Sequence, residues 1–406
     1  MGNLINKLNE NGKKTVIIRG PLLTQSGYGC HSRQVARWLF DRADVKGDVE
    51  VVTNPMMWGR TPWLLDPEKE DGLVGKIIQN ARPIQKADIS IQIQLPNEWD
   101  PFLADYNIGM SAVVETDKCN PQWIDCVNNM DLVIVPSEFC KNTLENSGKI
   151  TTPVVVVPES YFDKAAQPHV IELENVDTPF NFLVFGQFTG NNPENDRKNL
   201  LYTIKWMAEA FEGCDDVGVL VKTNFGRHTT IDRQNTLKML SDVVMQVSKP
   251  NKGPKFYLLH GEMSEEELSG LYHHPKVKAL VSLTRGEGFG LPLLEAAVAG
   301  LPVIATNHSA HIEFLGKGKF ISVDCSLVPI HQTRVDGNIF LEGVRWAMPD
   351  EKDAKRKMVK FYRSSQIPIQ WAQDLKEKLL PEYAFDSIKS QYNKVFDEHY
   401  LNRVQT

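Results

Sequence analysis

The chain has 406 residues and a formal net charge of −6. A length of this order suits two domains rather than one, and the mildly acidic balance excludes a global basic field of the kind that attracts nucleic acid. No apolar run is long enough to span a membrane, and the polar N-terminus, MGNLINKLNENGKK, lacks the apolar core of a signal peptide. The sequence therefore predicts a two-domain protein of the cytoplasm.

The six cysteines and ten histidines show no spacing typical of a metal site. No C-x-x-C pair occurs, no histidine stands at zinc-ligand spacing beside a cysteine, and no D-x-D triplet is present. We therefore expect reduced thiols rather than disulfides, no dedicated metal site and no bound cofactor.

The first predicted elements are a buried strand at 15–20 and a helix that starts near His31, joined by a loop with the sequence PLLTQSGYG. Strand, glycine loop and helix in this order form a common phosphate-binding arrangement, although a lone G-x-G is a weak signal. The alternative is a plain tight turn without a ligand. The loop residues that are candidates for substrate contact are Ser26, Gly27, Tyr28 and Gly29.

The next stretch contains a loop with aromatic residues and a segment in which apolar and polar residues alternate. The loop after the second predicted strand carries Met56, Met57, Trp58 and Trp63, and exposed aromatic rings can form a stacking platform for a sugar or a base. A small satellite core under a long loop is an equal alternative. The segment 87–95, ADISIQIQL, alternates apolar and polar residues, which predicts a half-exposed strand near an edge of the sheet.

A buried strand at 107–114 runs into two acids, Glu115 and Asp117. Strands and helices alternate up to Pro158, and a stretch without strong periodicity then predicts the connection to a second domain. Since ligands of open α/β sheets bind at the carboxyl ends of the strands, both acids are candidates to face a substrate. A purely structural role is the alternative.

The second half begins with a strand near 180–187 and a polar loop that leads into a helix. Arg197 and Lys198 stand at the start of this helix, where the helix dipole prefers negative charge. Two cations suit this position if a phosphate is the missing anion, and a solvated basic pair is the alternative. Lys222 lies at the end of the following strand and is a candidate for a further phosphate contact.

The stretch 277–313 has the strongest pattern in the chain. A buried strand, VKALVSL, is followed by the turn RGEGFGLP, a short helix and a second buried strand, PVIAT. Glycines in this turn let the backbone approach a ligand closely, and N–H groups at the start of such a helix bind phosphates in α/β proteins. Two acids frame the turn, Glu287 and Glu295. The backbone candidates for phosphate binding are Gly288, Phe289, Gly290 and Leu291.

The order of glycines, proline and acids in EGFGLPLLEA, followed by AGLPVIAT, closely resembles the E-x7-E signature of retaining glycosyltransferases of family four, the glycosyl transferases group 1 with the GT-B fold. The chain is also similar to members encoded by tailed phages, which would place it in the host cytoplasm. The resemblance implies an α/β fold of two facing, doubly wound parallel-sheet domains. It implies an acceptor-binding domain at 1–165, a donor-binding domain at 166–378 and a C-terminal helix, at 379–406, that packs back on the first domain.

The resemblance also assigns the donor site. It implies that the diphosphate of a nucleotide sugar binds to Arg197, Lys198 and the turn at 288–291, with Lys222 as a further contact. No essential metal is then expected. The residues that would meet the nucleotide base are Gly261, Glu262 and Met263.

The remaining assignments concern the two sugars. Glu295 would hold the ribose hydroxyls, and Glu287 would orient the donor sugar. Many members of the family have a histidine near the reacting sugar where this sequence has Glu115 and Asp117, and two glycines where it has Ser309-Ala310. Which acid takes the histidine's place is left open, and the sugar subsite is expected to differ from that of the family.

The expected function is retaining transfer of a hexose or pentose from a nucleotide-diphosphate sugar, with a UDP-sugar as the first candidate, to an acceptor hydroxyl. The expected acceptor is a hydroxymethylated base in phage-type DNA, a glycan or a protein. The cationic run from Lys352 to Arg363 is either a solvated helix face or a site for a polyanionic acceptor. The alternatives are a nucleotide-sugar 2-epimerase with the same fold and a non-catalytic nucleotide-sugar binding protein.

Overall fold

The structure, a computed structural model, describes residues 12–59, 61–84, 86–190, 192–223, 226, 228–248 and 253–401. The N-terminal residues 1–11, which entered the prediction about a signal peptide, lie outside these ranges. Among the described helices, none combines the length and the apolar character that crossing a membrane requires. All six cysteines are described, and all are free thiols.

The chain divides into two compact units. Unit 1 consists of Met1–Val113, Asn120–Glu159 and Ile388–Thr406, and unit 2 of Val114–Cys119 and Ser160–Ser387. The short segment Val114–Cys119 thus belongs to unit 2, although the residues on both sides of it in the sequence belong to unit 1. The main transitions follow Glu159 and Ser387, whereas the sequence predicts boundaries after residues 165 and 378.

Unit 1 is built on a parallel sheet flanked by helices. Its strands are β1 (Lys14–Gly20), β2 (Val49–Pro55), β3 (Ala87–Ile93), β4 (Ala104–Met110), β5 (Leu132–Val135) and β6 (Val154–Val156). The helices between them are α1 (Gly27–Val45), α2 (Leu73–Gln79), α3 (Gln122–Asn128) and α4 (Glu138–Glu145). The described strands form one sheet with the order β2-β1-β3-β4-β5-β6, and its pairs are parallel. The chain order therefore reverses between β1 and β3.

The prediction that β3 lies near an edge of the sheet is wrong, because β3 pairs with β1 on one side and β4 on the other. Its polar residues Ser90 and Gln92 are buried rather than exposed. Ser90 Oγ donates to Asn107 Oδ1 at 2.7 Å, and Gln92 Nε2 donates to the carbonyl of Asp100 at 2.7 Å. The alternation of polar and apolar residues thus reflects an internal hydrogen-bond network, which satisfies the polar groups away from water.

Unit 2 repeats the architecture with a second sheet. Its strands are β7 (Phe180–Phe185), β8 (Val217–Thr223), β9 (Lys255–His260), β10 (Val277–Ser282), β11 (Val303–Thr306) and β12 (Ile321–Val323). Its first helices are α5 (Leu200–Ala210), α6 (Thr230–Val247), α7 (Glu265–His273), α8 (Leu291–Ala299) and α9 (His311–Leu315). The described strands are parallel in the order β12-β11-β10-β7-β8-β9, so the chain order reverses between β7 and β10.

The end of unit 2 contains an element that the sequence did not predict. An antiparallel hairpin of β13 (Cys325–Pro329) and β14 (Arg345–Pro349) follows β12, in a region whose sequence indicates only a loop. The residues of β13 are partly or fully exposed although its sequence, CSLVP, is mostly apolar. In β14, by contrast, Trp346 is fully buried beneath the guanidinium of Arg285, whose carbon lies 5.0 Å from the ring centre.

The last helices are α10 (Glu351–Arg363), α11 (Gln366–Glu382) and α12 (Phe385–Phe396), and one π-helical turn, Asp397–Leu401, follows. Within unit 1, α12 packs on α1. The ring of Tyr392 stacks on Trp38 with centroids 5.0 Å apart, and Arg42 Nη1 donates to Asp397 Oδ1 at 2.8 Å. The predicted α/β class with two doubly wound parallel sheets is confirmed.

Candidate functional site

The candidate site lies at the carboxyl edge of the sheet of unit 2, where the chain order reverses. Open α/β sheets bind ligands at such a switch point, because the loops after the two adjacent strands run to opposite sides and leave a crevice. The loop after β7 leads into α5 and carries Arg197 and Lys198, and the loop after β10 leads into α8 and carries Glu287. The fold thus brings the two predicted motifs, about ninety residues apart, to one place.

Glycines give the turn before α8 its shape. Gly290 precedes the helix with φ 101°, a left-handed conformation that favours glycine, and a Cβ there would lie 3.1 Å from Leu293 Cδ1. A Cβ on Gly286 would lie 2.5 Å from the carbonyl oxygen of Glu115. The turn therefore fits closely against Glu115, and the N-terminus of α8, which begins at Leu291, opens on the same edge.

Glu287 is paired with the basic residues of the loop after β7. Lys198 Nζ donates to both carboxylate oxygens at 2.7 Å, and Arg197 Nη1 lies 3.9 Å from Oε2. Burial by itself would raise the pKa of Glu287, but the charges of Lys198 and Arg197 outweigh burial and lower the pKa to about 2. Glu287 is therefore an ionised hydrogen-bond acceptor throughout the neutral range.

Arg197 joins three parts of the site. Its Nη1 donates to the carbonyl of Gly286 at 2.9 Å and lies 3.0 Å from Glu115 Oε1. Its own carbonyl accepts a hydrogen bond from the N–H of Arg285 at 2.9 Å. Glu115, a predicted site residue, is thus brought to the same ionic network as Glu287.

The backbone of Glu287 rests on the loop before α9. Its N–H donates to Ser309 Oγ at 2.9 Å, and the hydroxyl lies 3.4 Å from Nδ1 of the buried His311. Nε2 of His311 lies 2.7 Å from the carbonyl of Thr306, an arrangement in which Nε2 carries the proton and Nδ1 accepts. Ser309 has φ 73°, so a non-glycine residue holds a left-handed conformation where the resembled family has glycine. The sequence pointed to Ser309-Ala310 but gave no signal for His311.

Asp117 occupies a different position from Glu115. Its Oδ1 accepts from the N–H of Arg345 at 2.7 Å, and its Oδ2 accepts from Arg345 Nε at 2.8 Å. The carboxylate therefore ties Val114–Cys119 to the first residue of β14, whereas Glu115 contacts Arg197. His308 also lies within electrostatic reach of Asp117, although burial lowers its pKa. Of the two predicted acids, only Glu115 has Arg197 as a partner.

Lys222 lies at the end of β8 and holds the loop that was predicted to meet the nucleotide base. Its Nζ donates to the carbonyl of Gly261 at 2.6 Å and lies 5.8 Å from the ring centre of Phe185. Burial lowers the pKa of Lys222 to about 8, although Glu267 and Glu262 act in the opposite direction. The structure thus gives Lys222 a contact with the backbone of Gly261.

Glu295 projects from α8 and is bonded to a residue that the sequence did not single out. Tyr272 Oη, on α7, donates to Glu295 Oε2 at 2.9 Å. Burial raises the pKa of Glu295 to about 7, and the hydrogen bond from Tyr272 only partly opposes this shift. At neutral pH Glu287 is therefore ionised, whereas Glu295 is partly protonated. The two acids differ in this way although they belong to one motif, with seven residues between them.

The predicted substrate loop lies in unit 1, after β1. Ser26 Oγ accepts from the N–H of Gly29 at 3.0 Å and so caps α1. A Cβ on Gly29 would lie 1.9 Å from the carbonyl of Thr24, so this glycine is needed for packing. Gly27 is exposed with open space beside it. These contacts account for two of the four loop candidates without a ligand.

Tyr28, another of the four candidates, makes polar contacts through its hydroxyl and an aromatic contact through its ring. Its Oη lies 2.9 Å from Ser111 Oγ and accepts from the N–H of Ala112 at 3.0 Å. The ring of Trp58 stacks on Tyr28 with centroids 4.5 Å apart. Met57 is exposed beside it. The aromatic loop therefore forms a small stacked pair at the carboxyl edge of the unit 1 sheet.

In the part of the chain that the structure describes, no group of three or more histidine, cysteine, aspartate or glutamate side chains is arranged to hold a metal ion. Three of the six cations in the run on α10 have acidic partners among the described residues, and Arg356 contacts Asp353. Lys355 contacts Glu209 and Glu351, and Lys357 contacts Asp353.

The segment that carries Glu287 and Glu295 is similar to a known protein family. Residues 253–335, which contain Glu287, Glu295 and the turn between them, match the family model described as Glycosyl transferases group 1. The match supports glycosyltransferase activity and covers the carboxyl-edge loops after β9, β10 and β11. No curated protein is a significant match to the sequence.

Solved structures are similar over nearly the whole chain. The Anabaena protein HepE, in complex with UDP and glucose, has a TM-score of 0.59 at 14% identity, covering 95% of this chain and 100% of that one. A glycosyltransferase from Rickettsia africae has a TM-score of 0.62 at 12% identity, covering 95% and 98%. Sucrose-phosphate synthase from Thermosynechococcus elongatus has 0.64 at 10% identity, covering 96% and 100%. At these identities the likeness shows the fold, which is that of GT-B glycosyltransferases.

Proposed function

We propose that this protein is a retaining glycosyltransferase that moves a sugar from a nucleotide-diphosphate sugar, with a UDP-sugar as the donor, to an acceptor hydroxyl. The observation that carries the proposal is the ionic network of Lys198, Arg197 and Glu287 beside the N-terminus of α8. The acid of this network lies in the segment that matches the group 1 model, and the two cations reach it from the loop after β7.

The network suits a reaction in which negative charge develops on a leaving diphosphate. Lys198 and Arg197 are held at 2.7 and 3.9 Å from Glu287, so their charges are already positioned at this edge of the sheet. Preorganised donors of this kind stabilise the leaving group without reorganisation during the reaction. The N-terminus of α8 adds partial positive charge. With this charge supplied by the protein, we propose that the reaction needs no metal.

Glu287 has a limited set of possible roles. Because its pKa is about 2, it carries no proton to give at neutral pH. It can accept hydrogen bonds from donor-sugar hydroxyls and so fix the orientation of the reacting carbon. We propose that the acceptor attacks from the side of the leaving diphosphate, whose oxygen takes the acceptor's proton, so that no side-chain nucleophile is required. Glu115, bonded to Arg197, is placed to hold that cation in position.

Glu295 is proposed to hold the ribose. A carboxylate can accept hydrogen bonds from two neighbouring hydroxyls, and such donors favour its ionised form. In the structure its pKa is about 7 and Tyr272 already donates one hydrogen bond, so the second oxygen remains available to hydroxyl donors. Lys222 would act on the base indirectly, because its ammonium group donates to the carbonyl of Gly261, on whose backbone the base would rest.

The acceptor is proposed to be the hydroxyl of a hydroxymethylated DNA base or of a glycan. The stacked pair of Trp58 and Tyr28 supports an acceptor with a flat face, because base and sugar rings both stack on aromatic side chains. Ion pairs with acids occupy Lys355, Arg356 and Lys357 of α10, which weakens the case for a polyanion at these three positions.

The experiment begins with a thermal-shift and calorimetry panel of UDP-, GDP- and ADP-sugars. The stabilising donor is then incubated with plain DNA, hydroxymethylated DNA and an oligosaccharide set, and the products are weighed by mass spectrometry. A sugar mass added to one acceptor supports the proposal, and retention follows if NMR shows the donor's anomeric configuration in the product. An epimerised donor without transfer would favour the epimerase, and tight binding without transfer or hydrolysis would favour the binding protein. Failure of every nucleotide sugar to bind would refute the proposal.

A further inference from the structure

The hairpin of β13 and β14 brings one more cation to the site, Arg334. This residue lies in the loop that connects the two strands, a segment whose sequence carries no recognisable motif. Its guanidinium carbon lies 4.0 Å from the ring centre of Phe340, in the same loop. Nη1 makes a long hydrogen bond of 3.5 Å to the carbonyl of Thr189, in the loop that also carries Arg197. The hairpin loop is thus anchored beside the basic residues of the site.

The hydrogen-bonding capacity of Arg334 is mostly unused. Its Nε is buried and has no hydrogen-bond partner, and among the described residues no carboxylate lies within salt-bridge distance of it. A guanidinium has five N–H donors, and a buried donor without a partner costs free energy. The ring of Phe340 fixes the plane of the guanidinium, so the side chain is held in place although its buried Nε has no partner in the protein.

The acids around Arg334 are engaged elsewhere. Glu115 pairs with Arg197 at 3.0 Å. Asp196 accepts hydrogen bonds from the N–H groups of Leu200 and Leu201 at the start of α5. Asp336 accepts from three backbone N–H groups of its own loop. Each carboxylate that acts electrostatically on Arg334 therefore already has its own donors.

Arg334 also lies close enough to Arg197 for the two charges to repel. Burial and the charge of Arg197 both lower the pKa of Arg334. An anion that contacts both guanidinium groups would relieve this repulsion and would give the buried Nε of Arg334 a partner. Arg197 donates to a carbonyl and a carboxylate, so it is oriented but retains further N–H groups. Together the two side chains offer the forked donors that suit phosphate and carboxylate.

We infer that Arg334 binds an oxyanion of the donor substrate together with Arg197, and that the β13–β14 hairpin serves to deliver this second arginine. The inference rests on the proposed function. Two groups of a nucleotide-sugar donor carry the required chemistry: the second phosphate of the diphosphate and the carboxylate of a uronosyl group. Lys198 is paired with Glu287 in the same network. Arg334 would therefore supply a further contact to the anion and would not take the place of Lys198.

The test measures dissociation constants of uridine, UMP, UDP, UDP-glucose and UDP-glucuronate by calorimetry. The proteins compared are the wild type, Arg334→Gln, Arg334→Lys and the control Arg356→Gln. Arg356 is a surface arginine of the same unit that pairs with Asp353 on α10, so its substitution changes the net charge equally. Arg334→Lys keeps the positive charge and removes the forked N–H donors of the guanidinium. The melting temperatures of Arg334→Lys and Arg334→Gln show whether the hairpin still folds.

If the anion is the second phosphate, Arg334→Gln weakens UDP at least ten-fold relative to UMP and leaves uridine unchanged, with Arg334→Lys between the two. If it is a sugar carboxylate, UDP and UDP-glucose keep their affinity and UDP-glucuronate loses at least ten-fold. Equal affinities of all ligands for Arg334→Gln and wild type, or an equal loss that includes uridine, would overturn the inference and leave Arg334 a structural residue of the hairpin. Failure of the wild type and Arg356→Gln to bind any of these ligands would refute the proposed UDP-sugar donor, and the inference with it.

Discussion

The carboxyl edges of the two sheets carry different chemistry on the same kind of topology. In unit 2, the loops at the reversal between β7 and β10 hold Arg197, Lys198 and Glu287 in ion pairs. In unit 1, Tyr28 lies in the first turn of α1, at the reversal between β1 and β3. Its hydroxyl forms neutral hydrogen bonds with Ser111 and Ala112, which follow β4, and its ring stacks on Trp58. A parallel sheet supplies the crevice, and the loops decide whether charge or a flat apolar surface fills it. The comparison predicts that substitutions in unit 2 change the binding of the donor and the rate of the chemical step, whereas substitutions in unit 1 change the binding of the acceptor.

The largest effect is expected from Lys198→Gln. Removing one preorganised charge from a developing anion costs about 10²- to 10³-fold in kcat, and the substitution also leaves the buried Glu287 with Arg197 at 3.9 Å as its remaining cation. We expect such a loss in kcat, with uridine affinity unchanged. The measurement is steady-state kinetics with the stabilising donor. Glu287→Ala should likewise lower turnover more than donor affinity.

Lys205→Gln is the matched control for Lys198→Gln. Lys205 lies on α5, next to the same loop, and pairs on the surface with Glu209 at 2.9 Å. Exposed pairs of this kind contribute little, so kcat should stay at the wild-type value. Unchanged kcat in Lys198→Gln, or an equal loss in both variants, would remove the proposed role of the ion-paired edge.

The next effect concerns Glu295→Gln and its pH dependence. Ribose hydroxyls favour the ionised carboxylate, so UDP-glucose, whose diphosphate does not titrate near neutral pH, should bind more tightly as the pH rises through about 7 and should release a proton on binding. Glu295→Gln should bind UDP-glucose about ten-fold more weakly at high pH, equivalent to about 1.4 kcal/mol, and should lose this part of the dependence. Calorimetry in buffers of different ionisation enthalpy measures the proton directly. A wild-type affinity that is flat with pH would contradict the assignment of Glu295 to the ribose.

The difference between the two edges also explains what could be predicted from the sequence. The strand, glycine turn and helix around Glu287 are one local pattern, so their fold and their likeness to group 1 glycosyltransferases could be recognised from residues 277–313. The contact between Arg197 and Glu115 could not, because it depends on Val114–Cys119 belonging to unit 2. Long-range pairing of this kind leaves no periodicity in the sequence.

Two other features of the structure could not be predicted from the sequence. The first strand of the β13–β14 hairpin is largely exposed although its sequence, CSLVP, is mostly apolar, and no motif in the sequence marks Arg334. The buried polar residues of β3 looked exposed, because their partners, such as Asn107 and Asp100, come from other parts of the chain. In both cases the environment of the strand depends on tertiary contacts, which the pattern of one segment does not show.

A moderate effect is expected from Trp58→Ala in unit 1. Stacking of a base on an aromatic ring contributes about 1–3 kcal/mol, so transfer to the acceptor should fall about ten-fold through its KM. UDP affinity and the slow hydrolysis of the donor by water should not change. Phe102→Ala is the control, since this ring is 86% exposed on the same unit. Loss of UDP affinity in Trp58→Ala would break the division of roles between the two units.

The smallest effect is expected from Tyr28→Phe, and it separates two roles of the same residue. The substitution keeps the ring under Trp58 and removes the hydroxyl that lies 2.9 Å from Ser111 Oγ and accepts from the N–H of Ala112. Losing these bonds should cost about 1 kcal/mol of stability, seen as a small drop in melting temperature, with transfer reduced less than in Trp58→Ala. If transfer instead falls further than in Trp58→Ala while the melting temperature holds, the hydroxyl contacts the acceptor itself. The edge of unit 1 would then bind its ligand through a directed polar contact, as the edge of unit 2 is proposed to do, rather than through a stacking surface.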